Sequence, residues 1–160
     1  EGQAVVLSAE QQRAALCALH LPITAITGGP GTGKTSIVVS ILRLLVRLGV
    51  APERIALAAP TGKAALRLSE LTGVRATTIH RGLGFRPGES EDGDLAGEWT
   101  YRRVNPLPAD VVLCDESSML DTAHAARLLA AIPSSRQSES SSPRPHPTST
   151  TGVCSLRYSR

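Results

Sequence analysis

The chain has 160 residues, 41% hydrophobic and 19% charged, enough for one core and too short for two domains of ordinary size. No apolar run approaches the ~20 residues a membrane span requires, no signal-peptide pattern opens the chain, and the three scattered cysteines (Cys17, Cys114, Cys154) lack metal-ligand spacing and the even count of a disulfide framework. The net charge of +3 is no argument for a nucleic-acid partner, because residues 1–133 carry thirteen basic and thirteen acidic side chains and the excess lies wholly in Arg136, Arg144, Arg157 and Arg160 against Glu139. No membrane partner is expected, and a reducing, cytoplasmic setting is. The chain opens at Glu1 and its single methionine is Met119, so it reads as processed or as a piece cut from something longer.

In chain order, Ser8 is placed to cap a helix over 9–20, with Ala14, Ala15, Leu16, Ala18 and Leu19 as its apolar face and Pro22 as its stop. "ITAIT" (23–27) reads as a buried strand between Pro and Gly-Gly. Ile37, Ile41, Leu44, Leu45 and Leu48 predict a helix from Gly33 to Leu48, ended by Gly49. "RIALAAP" (54–60) repeats the strand pattern, and Ala64, Ala65, Leu68 and Leu71 predict a helix over 62–71 before Gly73. Residues 84–108 have no sustained period and read as a surface excursion with a short hairpin near Trp99 and Tyr101. "ADVVLCDE" (109–116) is a third buried strand ending in two carboxylates, and "SSMLDTAHAARLLAAI" predicts a helix closed by Pro133. Alternating strands and helices imply parallel βαβ units, hence an α/β class with helices on both faces of the sheet.

Beyond Pro133 the composition changes. Residues 134–160 hold nine Ser and three Pro with almost no apolar spacing, too little to offset the entropy of ordering, so the expectation is one folded unit at 1–133 and a disordered tail at 134–160.

Gly28-Gly29-Pro30-Gly31-Thr32-Gly33-Lys34-Thr35 has the full spacing of a P-loop: Gly, four residues, Gly, Lys, Thr. Glycines let successive backbone N–H groups turn around an anion, and the following helix presents its positive end. Lys34 would neutralise the β- and γ-phosphates of ATP and the Thr35 hydroxyl would ligate Mg²⁺, with Gly29, Pro30, Gly31, Thr32, Gly33 and Ser36 completing the cradle. Strand, loop and helix all fall where such a motif needs them, which a Gly-rich turn without a ligand would not require.

Asp115 and Glu116, at the end of an apolar strand, suit the second half of such a site: Asp115 to the metal, usually through water, and Glu116 as the base or positioner of the attacking water. Their plain alternative is two acids starting a helix, where the dipole favours them. Gln11 has two readings of equal weight: in Ser8-x-x-Gln11 it completes a capping box, while its amide could read adenine through a paired donor and acceptor.

"LSAEQQRAAL", "ITGGPGTGKTS", "APTGKAALRLSELTGVRATTIHRGLG" and "NPLPADVVLCDESSMLD", in that order and at these intervals, resemble the first motor domain of RecD-like ATP-dependent DNA helicases of superfamily one, over about residues 5–133. The resemblance implies a RecA-like P-loop NTPase fold and ATP hydrolysis coupled to 5′ to 3′ translocation on single-stranded DNA. It also implies partners among recombination or repair subunits. It gives Gln11 the adenine-reading role, Lys34, Asp115 and Glu116 the catalytic ones, Thr35 and Asp115 the metal, and Thr61, Gly62 and Lys63 a contact with the DNA backbone. That contact is physically sensible, since a hydroxyl, free N–H groups at a helix start and a Lys bind phosphate without reading sequence. Thr78 and His80 either lie near the same strand or relay between DNA and ATP, with a packed structural His as the alternative for His80; Phe85, Trp99 and Tyr101 are weaker candidates for stacking on bases.

After the helix ending near Ile132, the family pattern continues with a strand and a Gly-Asp-x-x-Gln-Leu-Pro segment that this chain does not show. The sheet is therefore expected to be incomplete. The second motor domain, with an arginine finger worth roughly 10³ to 10⁵ in turnover, has no counterpart either, so this chain alone is expected to hydrolyse ATP poorly and not to unwind DNA. Two readings of the tail compete: a genuine linker, or a change of reading frame inside the core. Two further functions stay open: another kind of P-loop ATPase, and a nucleotide-binding remnant without turnover.

Overall fold

The computed structural model describes residues 6–21, 23–29, 31–88, 97–133 and 151–154, the last four by backbone alone. Pro30, the acidic stretch at 89–96 and the tail other than 151–154 lie outside the described residues.

Helix α1 (Ala9–His20) starts where the sequence places it, with the capping box formed: Ser8 Oγ accepts from Gln11 N at 3.3 Å and Ser8 N donates to Gln11 Oε1 at 2.9 Å. Strand β1 (Ile23–Ala25) is shorter than the 23–27 expected, because the chain leaves the sheet at Ile26 to enter the Gly-rich loop. Helix α2 (Lys34–Arg47) buries Ile37, Val38, Ile41, Leu42 and Leu45, a stripe of helical period. Strand β2 (Ile55–Ala59) and helix α3 (Gly62–Thr72) follow, the latter closed by Gly73 in the left-handed conformation.

Two elements were not anticipated. Residues 76–82 form strand β3 (Ala76–Thr78) and a single turn, α4 (Ile79–Gly82), too short to show a period in the sequence. The expected hairpin is present as β4 (Phe85–Pro87) against β5 (Gly97–Trp99). Beyond β6 (Val111–Cys114), the single helix expected over 117–132 is instead a 3₁₀ turn at Ser117–Met119 and helix α5 (Thr122–Ala131). The break has a local cause: Asp121 accepts from His124 N at 2.7 Å and so starts a new helix as its N-cap.

The main sheet runs β1-β7-β6-β2-β3, all parallel, where β7 is Thr151–Cys154. These four residues belong to the stretch expected to be a structureless tail, and they fill the slot between β1 and β6. There their backbone pairs in parallel with Ile23–Ala25 on one side and with Val111–Cys114 on the other.

Residue parity on the strands builds two cores. Ile55, Leu57, Val111 and Leu113 face α1, α2 and α3 with Ala15, Ile41, Leu45 and Leu68, while Ala58, Val112 and Cys114 face the other side with Ile79, Leu83, Leu107, Leu128 and Ala131. Helices thus cover both faces, as in an incomplete P-loop NTPase. No helix among the described residues is long and apolar enough to cross a membrane.

Candidate nucleotide site and nucleic-acid face

Because the strands are parallel, their carboxyl ends lie along one edge of the sheet, where open α/β sheets bind ligands. The loop after β1 carries Gly28 to Gly33, the turn after β2 carries Thr61 to Lys63, β3 ends in Thr78 beside His80, and β6 ends in Asp115 and Glu116. Among the described residues, topology therefore puts the Gly-rich loop, Thr61 to Lys63, Thr78, His80, Asp115 and Glu116 on this edge or at the helix starts next to it, while Phe85 and Trp99 lie in the separate β4–β5 hairpin.

The phosphate loop is shaped by two left-handed glycines, Gly31 and Gly33, both at φ +76°. A Cβ on Gly33 would also stand 2.8 Å from Gln11 Nε2, so a side chain here would be strained in its backbone and would displace the Gln11 amide from its place beside the loop. Thr32 Oγ1 donates to Gly29 O at 2.9 Å across the loop. Lys34 Nζ donates to the carbonyls of Gly28 at 2.9 Å and Gly29 at 2.8 Å, so the ammonium is held over the loop it would share with a phosphate. Ser36 follows at the start of α2, its carbonyl accepting from Ser40 Oγ at 2.8 Å.

Thr35 and Asp115 meet across the gap between α2 and β6. Thr35 Oγ1 donates to Asp115 Oδ2 at 2.9 Å, and the other carboxylate oxygen accepts from Glu116 N at 2.9 Å. Asp115 is only 5% exposed. A hydroxyl and a buried carboxylate brought together are hard oxygen donors of the kind Mg²⁺ takes, so the residues present fit that ion, held by Asp115 directly or through water.

Glu116 adopts φ 53°, ψ 32°, the one described non-glycine residue with positive φ. A left-handed glutamate costs about 1–2 kcal/mol, and the conformation turns the chain directly after the buried carboxylate. Glu116→Gly is therefore expected to leave thermal stability unchanged or raised by under ~1 kcal/mol, whereas Glu116→Val loses about 1–2 kcal/mol; equal melting of the two variants would sink this account of the turn.

Gln11 does two things at once. Its Oε1 closes the capping box, and its Nε2 donates to Thr32 O at 2.9 Å, tying α1 to the phosphate loop. The capping reading of this residue is thus realised, and the amide also touches the loop beside which a base would lie.

On the remaining stretch of the edge, Thr61 caps α3 by accepting from Ala64 N at 3.2 Å, with Gly62 and Lys63 exposed next to it. Thr78 caps α4 through Arg81 N at 3.3 Å. His80 is exposed, yet it sits in an aromatic cluster that nothing in the sequence indicates: its ring lies 5.3 Å from Trp99, 5.4 Å from Phe85 and 4.5 Å from His124, and Arg127 covers Trp99 at 5.0 Å. His80 Nε2 is 2.9 Å from His124 Nε2, and His124 Nδ1 is 2.7 Å from Asp121 Oδ1. The one available signal was Asp121-x-x-His124 at a helix start, which marks a cap but not the partner across the hairpin.

Comparison with known families decides the assignment. The AAA domain profile matches residues 11–138. The chain belongs to this family. Among relatives of this AAA domain, the RecBCD enzyme subunit RecD of Mycolicibacterium smegmatis is 45% identical over 143 residues, covering 77% of this chain and 25% of the relative. The ATP-dependent RecD2 DNA helicase of Deinococcus radiodurans is 40% identical over 111 residues, covering 69% and 14%, and the ATP-dependent DNA helicase dda of phage T4 is 38% identical over 109 residues, covering 68% and 24%. The chain spans a quarter or less of each of these relatives, and it corresponds to the N-terminal motor region of RecD-like helicases.

Proposed function

We propose that this chain is the nucleotide-binding part of the first motor domain, at residues 1–133, of an ATP-dependent DNA helicase that moves 5′ to 3′ on single-stranded DNA. The observation that carries the reading is the Thr35–Asp115 hydrogen bond, which joins the hydroxyl of the Gly-rich loop to a buried strand-end carboxylate 80 residues away, two hard oxygen donors that suit Mg²⁺. Bound Mg²⁺ would supply charge neutralisation on the phosphates.

The protein's own residues supply the rest. Gly29, Gly31, Thr32, Gly33 and Ser36 form the cradle, with Pro30 in the same loop outside the described residues. Lys34 releases the Gly28 and Gly29 carbonyls to meet the β- and γ-phosphates. Glu116, turned out of the strand by its left-handed backbone, positions the attacking water. Gln11 reads adenine while holding Thr32. Thr61, Gly62, Lys63, Thr78 and His80 face the DNA backbone. The relatives named as RecD are subunits of the RecBCD enzyme, which supports recombination or repair subunits as partners, and the exposed Cys17 thiol suits a reducing cytoplasm.

The test is salt-dependent binding of a labelled oligothymidine to the 160-residue chain. The expected result is affinity that falls linearly on a log–log plot against salt, with a slope reduced by about one in Lys63→Ala. A chain that binds ATP and ignores the oligonucleotide at every salt concentration is a nucleotide-binding remnant instead.

A further inference from the structure

We infer that Asp121 and His124 are positioning residues that set whether His80 Nδ1 offers a lone pair or a proton to a nucleic-acid phosphate. The inference rests on the proposed single-stranded DNA face and adds to it a proton-controlled contact built from α5.

The argument counts hydrogens. An ionised carboxylate only accepts, so His124 Nδ1, 2.7 Å from Asp121 Oδ1, carries a hydrogen. A neutral His124 then has a bare Nε2, and the 2.9 Å contact with His80 Nε2 requires the hydrogen to sit on His80 Nε2. His80 Nδ1 is left with a lone pair, which a phosphate oxygen cannot use. Add one proton to the pair and the outcome is the same wherever the charge resides. If His80 is the cation, both its nitrogens carry hydrogens. If His124 is the cation, its Nε2–H donates to His80 Nε2, and a neutral His80 must carry its hydrogen on Nδ1. In both states His80 Nδ1–H is a donor. A proton taken up anywhere along the pair therefore appears as a phosphate-binding group at His80.

The ring has little freedom to escape this logic, since Trp99 at 5.3 Å, Phe85 at 5.4 Å and His124 at 4.5 Å hold it on three sides. The charged groups acting on it come from α5: Asp121, His124 and Arg127. The two hairpin residues packed against it, Phe85 and Trp99, are uncharged. Loss of water against these rings lowers the His80 pKa below its ordinary value, with His124 and Arg127 acting in the same direction and Asp121 opposing them. The charge is therefore disfavoured on His80 itself, and the donor form gains weight as pH falls, sooner when a phosphate is there to receive the hydrogen.

The experiment uses the 160-residue chain with ¹⁵N-histidine and a labelled oligothymidine. At pH 8, long-range ¹H–¹⁵N spectra are expected to show His80 as the Nε2–H tautomer, with His124→Leu returning it to a mixture. Between pH 8 and pH 5.5 the wild-type affinity for the oligonucleotide is expected to rise on the order of tenfold, the size of one charge-assisted hydrogen bond. His80→Gln should flatten that rise, His124→Leu should shrink it because a neutral His80 then already offers Nδ1–H part of the time, and Asp121→Asn, which keeps the helix cap, should move it to lower pH. A wild-type Nδ1–H tautomer at pH 8, or a pH profile indifferent to His124→Leu and Asp121→Asn, overturns the inference while leaving the helicase reading in place. Failure of the wild type to bind the oligonucleotide at any pH overturns both.

Discussion

Lys34→Ala is expected to weaken ATP binding by at least ~10²-fold. In the structure the Lys34 ammonium donates to two backbone carbonyls, Gly28 O and Gly29 O, both of which belong to the loop that would wrap the phosphates. A phosphate in that loop replaces two neutral acceptors by charged oxygens, and hydrogen bonds to charged groups are worth about 1.5–3 kcal/mol each. Losing even one of them at the upper end, or two at the lower, is about 3 kcal/mol, which is the predicted hundredfold. The fold itself should hardly notice, because Gly29 is exposed and Gly28 half-buried, so water can serve their carbonyls once the ammonium is gone. The measurement is calorimetric titration with Mg-ATP alongside thermal unfolding: the wild type binds and its melting temperature rises with ligand, whereas the variant melts like the free wild type and shows no ligand shift. A variant that binds ATP within about threefold of wild type would remove the phosphate role from Lys34.

Asp115→Asn is expected to cut the dependence of ATP binding on Mg²⁺ rather than the binding of the bare nucleotide. The buried carboxylate accepts from Thr35 Oγ1 with one oxygen and from Glu116 N with the other. An asparagine keeps the acceptor for Glu116 N and turns its amide nitrogen toward Thr35, whose hydroxyl reverses from donor to acceptor. Packing is nearly unchanged, so the stability loss is about 1 kcal/mol. What disappears is the negative charge that a hard divalent cation needs beside the Thr35 oxygen. In the wild type, affinity for ATP should therefore be at least about tenfold higher with Mg²⁺ than with a chelator, and in Asp115→Asn that ratio should approach one. Thr35→Val should reduce the same ratio from the opposite side of the pair. An unchanged ratio in Asp115→Asn would place the metal elsewhere.

These two predictions draw on information of different range. The Lys34 contacts are local, six and five residues back along the chain, and follow from a pattern in which each glycine has a conformational task. The same is true of the α1 capping box and of the closing glycine after α3, which is why helix starts and ends were legible from single residues. Where elements were short, the reading failed: β3 with α4 is seven residues long, and the 3₁₀ turn at Ser117–Met119 depends on the backbone conformation of Glu116, which no periodicity reports.

By itself the sequence determined the order of the longer strands and helices, the Gly-rich loop, and the strand-end acids, because each arises from interactions within a few residues. Only the tertiary structure decided that Thr35 and Asp115, 80 residues apart, share a hydrogen bond, and that His80 and His124, 44 residues apart, share another. It also decided that Thr151–Cys154 enters the sheet between β1 and β6. Such contacts depend on which strand lies beside which, and that is set by the pairing of buried backbone groups and by the burial of both sheet faces at once, which no local pattern of residues encodes.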